Sequence, residues 1–284
     1  MIISNAISPF QELIAYETLW AREGYTVKKV AEALKGTNFP SRADFSLIDL
    51  EVQNKIKEFI NKVQKNFSII TAENYQYPKE LEDSENQIKL LYYRGDLGLL
   101  ESSKKISIVG TRQISKDGIK RTKQLSKKLT EKGYTIVSGL AEGVDTVAMT
   151  EAIKNKGNVI GVIGTPINEY YPRENRELQE YIANRYLLLS HVPMYKYSNQ
   201  SFNTKRFYFP ERNVTMAAVS DATIIVEASD TSGTLTQARA CLSMNRKLFI
   251  LNSCFENPNI TWPATYEKRG AIRVRHIDDI LDNL

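Results

Sequence analysis

Hydrophobic positions follow a helical period near the amino-terminal end of the chain and change to short unbroken runs from about residue 104 onward. Ser8-Pro9-Phe10-Gln11 reads as a helix start, with Ser8 as N-cap, Pro9 in the first position and Gln11 closing a capping box. Phe10, Leu13, Ile14 and Trp20 supply the apolar side, and Gly24 ends the helix. A second helix is predicted from Val27 to Lys35, stopped by Gly36. A third runs from about Asp49 to Lys65, with Val52, Ile56, Phe59, Ile60 and Val63 on one face. Three such helices make a small helical domain over residues 1–65. Its second helix has the setting of a helix-turn-helix, but nine basic against eight acidic residues suit an interaction or spacer unit better.

Residues 66–284 read differently. Phe67–Ile70 and Lys89–Tyr93 are candidate strands separated by Tyr77-Pro78-Lys79-Glu80-Leu81. Ile106, Ile108 and Val109 then form a buried strand broken by Gly110, and Ser115 caps the helix that follows. The pattern recurs. A strand from Tyr134 exits at Ser138-Gly139, with Asp145 as a candidate helix cap; Val159–Ile163 exits at Gly164; Ala222–Ala228 is followed by Thr231-Ser232-Gly233-Thr234 and a new helix. Strands alternating with helices predict an α/β fold, a parallel sheet with helices on both faces. In such sheets ligands bind beyond the carboxyl ends of the strands. Glycine turns there aim backbone N–H groups and positive helix ends at one region, which suits an anion. The spacing is not that of a G-x-G-x-x-G dinucleotide fingerprint.

Charge sharpens this picture. The net charge is +5, yet Lys104–Lys132 alone holds ten Lys and Arg against Asp117 and Glu131, or +8. The positive charge therefore sits on the first strand–helix unit and suits a polyanion, with Arg112 inside the turn as the sharpest candidate. Lys120, Lys127, Lys128 and Lys132 fit equally well as the solvated face of a helix. Cys241 and Cys254 have neither metal spacing nor a disulfide framework. His191 and His276 lie far apart with no ligating partners, and no metal or cofactor is expected. The first residues lack a secretory leader, and no apolar run is long enough to span a membrane, so a cytoplasmic place is expected.

Between His191 and Asn213 the regular pattern stops for about twenty residues. This stretch carries Tyr195, Tyr197, Phe202, Phe207, Tyr208 and Phe209, interleaved with Lys196, Lys205, Arg206 and Arg212. Read as a functional loop, it offers rings for stacking and cations for a backbone, the needs of single-stranded nucleic acid. Each ring fits equally well as a plug of the sheet edge or of a dimer contact.

These motifs together resemble the DNA-processing protein A (DprA, or Smf) family over about Tyr77 to Ala271. Val109-Gly110-Thr111-Arg112 with Ser115 is similar to V-G-S-R-x-x-S, and Ser138-Gly139-Leu140-Ala141-Glu142-Gly143-Val144-Asp145 to S-G-L-A-R-G-I-D. Tyr171-Pro172-Arg173-Glu174-Asn175 resembles Y-P-x-x-N, and Phe209-Pro210-Glu211-Arg212-Asn213 resembles F-P-x-R-N-R. Glu227-Ala228 with Ser232-Gly233-Thr234-Leu235 looks like E-A-x-x-x-S-G-S-L. Glu142, Met149 and Val214 stand where the family has Arg, His and Arg.

The resemblance implies an extended Rossmann-like fold that binds single-stranded DNA, dimerises, and delivers incoming DNA to a RecA-type recombinase during natural transformation. It assigns DNA contacts to Gly110, Thr111, Arg112, Ser115, Ser138, Gly139, Arg173, Asn175, Arg212 and Asn213. Lys205, Arg206 and Phe209 join them from the aromatic stretch, and Ser232, Gly233 and Thr234 from the last turn. Arg112 and Arg212 are expected to face the ligand and not the core. A related family, the LOG-type nucleotide phosphoribohydrolases, suggests either an enzyme or a small-nucleotide sensor. Gln237 stands where that family's glutamate would be, and an amide cannot take its proton. Binding without catalysis is therefore expected. Glu227 and Asp145 read as a loop-orienting acceptor and a helix cap.

Overall fold

The computed structural model describes residues 8–44, 50–64 and 66–284. Among them nine strands form one sheet: β1 (Ser68–Thr71), β2 (Leu90–Gly95), β3 (Lys105–Val109), β4 (Thr135–Ser138), β5 (Val159–Ile163), β6 (Leu187–Ser190), β7 (Ala222–Ile225), β8 (Lys247–Leu251) and β9 (Ile272–Val274). The order across the sheet is β1-β2-β6-β5-β4-β3-β7-β8-β9. β1–β2 and β2–β6 are antiparallel, and the other pairings are parallel. The chain therefore builds outward from β3 to β6, then returns to the other side of β3 with β7. That reversal leaves a crevice beyond the carboxyl ends of β3 and β7.

The helices are α1 (Pro9–Ala21), α2 (Val27–Ala33), α3 (Leu50–Lys62), α4 (Lys116–Glu131), α5 (Val144–Lys154), α6 (Arg176–Arg185), α7 (Met194–Ser198), α8 (Phe202–Lys205), α9 (Tyr208–Ala218) and α10 (Thr234–Ser243), with short turns of helix beyond. β3, β4 and β5 are buried along their whole length, as parallel strands covered on both faces must be. Their side chains alternate between two cores. Ile106, Ile108 and Ile136 pack with Leu125, Val144 and Ala148 on one face. Val109, Val137 and Ile225 pack with Met216, Ala238 and Cys241 on the other. The expected α/β architecture is the one observed.

Ser8 caps α1 through Gln11 N–H as expected. The third helix is Leu50–Lys62; its expected ends, Asp49 and Lys65, lie outside the described residues, as does the chain's first heptad. Leu13, Tyr16, Leu19 and Trp20 of α1 join the same apolar core as Ile106 and Ile108, so the helical unit is packed onto the sheet. One buried acid ties the two. Glu17 accepts the Tyr92 hydroxyl at 2.6 Å and the backbone N–H groups of Met194 and Tyr195 at 2.8 and 3.0 Å. Burial raises its carboxyl above the usual range, while those three donors pull the other way.

The irregular loop expected from His191 to Asn213 is a correction. That stretch is mostly helical, comprising α7, α8 and the start of α9. Pro193 and Ser201 precede α7 and α8 in extended conformation, and three of the rings find partners across the chain. Tyr195 meets Phe59 at 5.6 Å, Tyr197 meets Tyr208 at 5.8 Å, and Tyr208 meets Trp20 at 6.0 Å. Tyr208 is core and Tyr195 and Tyr197 pack partly buried against it, as the alternative reading of the rings allowed. Phe202 and Phe207 remain 79% and 63% exposed, leaving them and the half-buried Phe209 available to a ligand.

Candidate nucleic-acid interface

The crevice beyond β3 and β7 holds a cavity of about 390 Å³. Gly110 opens its wall because any side chain there would overlap Val144 and the Glu227 carbonyl. The turn is fixed by backbone: Thr111 N–H donates to the Glu227 carbonyl at 2.7 Å, and Val144 N–H donates to the Thr111 carbonyl at 3.2 Å. Gly143, with φ of +78°, supports the turn from behind, where a Cβ would strike the Thr111 and Arg112 carbonyls. Arg112 is thereby held exposed at the rim, its guanidinium 5.9 Å from the Phe209 ring centre.

Phe209 in turn packs on Tyr171 at 5.1 Å and against Gly164, whose missing side chain makes room for the ring. Arg206 reaches the cavity from the other side. Ser232, Gly233 and Thr234 close it. Thr234 Oγ1 donates to the Gly110 carbonyl at 3.4 Å, and Asn213 Nδ2 donates to the Gly233 carbonyl at 2.9 Å. Two exposed arginines, the Phe209 ring and a backbone turn thus meet in one cleft. Such a site can hold a phosphate by charge and a base by stacking.

Of the residues expected at the ligand, Gly110, Thr111, Arg112, Arg206, Phe209, Arg212, Asn213, Ser232, Gly233 and Thr234 line this cavity. Others do not reach it. Ser138 is fully buried and donates its hydroxyl to the Ile108 carbonyl at 2.8 Å, a packing role. Asn175 donates to the Leu140 carbonyl at 2.9 Å and to Thr146 Oγ1 at 2.7 Å. Ser115 caps α4 through Gly118 N–H and gives its own N–H and hydroxyl to the Glu227 carboxylate, at 3.0 and 2.5 Å. Gly139 sits in the buried turn below, Arg173 is exposed on the neighbouring turn, and Lys205 lies over the Tyr197 ring at 4.4 Å.

Arg212 departs most from expectation. It faces the core, with 5% exposure, and its guanidinium is consumed within the protein. It donates to the carbonyls of Gly139 and Val162, the latter at 2.9 Å, and to Asn213 Oδ1 at 2.9 Å. Gly139 is glycine because a Cβ there would overlap that guanidinium. Desolvation lowers the Arg212 pKa, and the nearby Asp145 carboxylate opposes the shift. Asp145, also buried, is raised by desolvation and held down chiefly by Arg212. Its carboxylate accepts Gly139 N–H at 3.1 Å, so it fixes the β4–α5 turn instead of capping its own helix. Glu227 likewise orients the first turn of α4 instead of the loop after its own strand.

Two residues beside the cavity were named in the sequence without being assigned to the ligand. Tyr171 stands beside Arg173 in a recognised motif, and its ring partner Phe209 was the available signal. Gln237, fully buried, lines the cavity with its amide donating to Thr223 Oγ1 at 3.2 Å. The lysines of α4 lie on its exposed outer face, Lys120 3.5 Å from Asp117 and Lys127 3.9 Å from Glu131. Among the described residues no cluster of potential metal ligands occurs, and no helix is long and apolar enough to cross a membrane.

The family model for DNA recombination-mediator protein A matches residues 68–284, the sheet and every turn described above. The chain belongs to this family. It is 31% identical over 241 residues to the DNA processing protein DprA of Bacillus subtilis, covering 82% of this chain and 79% of that protein. The X-ray structure of DprA from Streptococcus pneumoniae superposes with a TM-score of 0.72 at 27% identity, over 98% of this chain and 94% of that one. DNA processing protein A from Helicobacter pylori, a structure concerned with that protein's single-stranded DNA binding mode, gives a TM-score of 0.63 at 29% identity. It covers 76% of this chain and 94% of that one.

Proposed function

We propose that this chain binds single-stranded DNA at the β3–β7 cavity and, as a homodimer, hands the strand to a RecA-type recombinase in recombination and natural transformation. The observation that carries the reading is the meeting of Arg112 and Arg206 with the Phe209 ring, itself packed on Tyr171, beside a glycine turn. Charge for phosphates beside an open ring face suits unpaired bases, which a duplex keeps inside its stack. The family relationship and the single-stranded DNA binding of the H. pylori relative support the same assignment. The chain acts by binding and not by catalysis, since Gln237 offers an amide where a glycosidic hydrolase needs a carboxylate.

The test is affinity for a labelled oligo-dT strand against the same length of blunt duplex at equal salt. The single strand binds more tightly; equal or tighter binding to the duplex defeats the proposal. A cavity of about 390 Å³ also has the size of a small-molecule site, which favours a nucleotide sensor as the second reading. Affinity that climbs from a dinucleotide to a ten-mer supports the strand. A mononucleotide bound as tightly as the ten-mer reverses the ranking.

A further inference from the structure

We propose that a second groove, along the outer side of α4, carries the next nucleotides of the strand held at the β3–β7 cavity; this rests on the single-strand reading above. Two further clefts adjoin that cavity in series. The first, about 590 Å³, shares Thr111 with it and passes Ser115, Arg121 and Glu227. The second, about 400 Å³, shares Arg121, Ser253 and Glu256 with the first and lies between α4 and the segment that follows β9.

The last cleft has the chemistry of an unpaired strand. Its floor is apolar, formed by Leu125, Leu251, Val274 and Ile277. Arg121 and Lys128 stand on the α4 wall, Arg275 and His276 on the other. Beside these three permanent cations, Glu256 is the one carboxylate lining the cleft. An apolar floor between cationic walls gives bases a surface and phosphates a countercharge. A duplex would use only the charge.

The acids along the route are already engaged. Glu227 holds Ser115 and lies 3.7 Å from Arg121, Glu256 accepts the Asn252 amide at 2.6 Å, and Asp279 accepts the backbone N–H groups of Arg275 and His276 at 2.6 and 2.9 Å. Ser253, whose hydroxyl has no hydrogen-bond partner within the protein, lies at the junction of the two clefts. The opposite edge of the sheet is closed to a polyanion. There a cleft beside β1 and β2 presents Glu73, Glu80, Glu82 and Glu101 against Lys79.

The test compares the unaltered chain with Lys128→Ala/Arg275→Ala for oligo-dT of four and of sixteen nucleotides, across a salt series. Both side chains are exposed, so the variant is expected to melt with the unaltered protein; Lys128→Gln and Arg275→Gln singly serve if it does not. Affinity for the sixteen-mer falls roughly tenfold, at least fivefold more than for the four-mer, and its salt slope shrinks by about 1.4, or about 0.7 per phosphate. Equal losses at the two lengths, or an unchanged sixteen-mer, overturn the groove and leave the cavity reading intact. If the unaltered chain binds neither strand, the single-strand reading and the groove fall together.

Discussion

Arg212→Ala separates a structural arginine from a DNA-contacting one. In the folded protein this guanidinium serves the carbonyls of Gly139 and Val162 and the amide oxygen of Asn213, and its charge is the strongest one favouring the ionised form of the buried Asp145. Truncation removes three hydrogen bonds from a charged donor, each worth roughly 1.5–3 kcal/mol, and takes from Asp145 the strongest of the charges that favour its ionised form. Water entering from the adjoining cavity recovers part of that loss, so the net cost is about 3–5 kcal/mol. At roughly 2–4 °C per kcal/mol for a chain of this size, the melting temperature drops by about 10 °C. Thermal unfolding followed by far-UV circular dichroism reads this directly, and urea unfolding gives the free energy. A variant that melts within about 2 °C of the wild type while losing DNA affinity would refute the reasoning and return Arg212 to the ligand.

Other consequences follow from the same contacts. Glu17→Ala leaves the Tyr92 hydroxyl and two N–H groups of α7 without their acceptor, so urea unfolding should show a loss of roughly 3 kcal/mol; a loss under about 0.5 kcal/mol would deny Glu17 its role in joining the helical unit to the sheet. His191 is fully buried and its pKa is lowered from 6.5 to about 3, chiefly by desolvation and secondarily by Arg212. The unfolded chain therefore binds the extra proton, and the stability His191 contributes is complete above pH 6.5 and is lost as pH falls towards 3. The stability gap between wild type and His191→Asn should narrow by roughly 2 kcal/mol from pH 7 to pH 5; a gap that stays constant contradicts the burial. Phe209→Ala should remove roughly 1–3 kcal/mol of oligonucleotide affinity through lost stacking, and an unchanged titration would exclude that ring from the path.

Much of the sheet is legible in the sequence because β-branched runs end at glycine: Ile106–Val109 before Gly110, Val159–Ile163 before Gly164. The first helix is equally plain, since Ser8 and Pro9 form a cap that needs no distant partner. The strands β6, β8 and β9 carry no comparable punctuation. The stretch from His191 to Asn213 misleads for a related reason. Tyr197 packs on Tyr208, Tyr208 on Trp20 and Tyr195 on Phe59, and α1 and α3 lie more than a hundred residues earlier in the chain, where a local pattern does not reach.

Direction is harder to read than position. Arg112 and Arg212 look alike as motif arginines, yet one lies on a rim turn and the other on a helix. A signal existed for the second. Tyr208, Arg212 and Thr215 fall at helical spacing and all three are buried, so the arginine shares the inward stripe of α9. Ser138 and Asn175 went astray in the same way. Each belongs to a motif that surrounds the cavity, but their polar groups satisfy neighbouring backbone instead of facing solvent.

The central claim is that Arg112, at the rim of the β3–β7 cavity, neutralises a phosphate of a bound single strand. Its most direct test is the salt dependence of oligo-dT affinity for the wild type and Arg112→Ala. A lost phosphate contact lowers the slope of log K against log salt by about 0.7 and weakens binding by roughly 1–3 kcal/mol, with the melting temperature unchanged because the side chain is exposed. An identical slope and affinity in the two proteins would contradict the account.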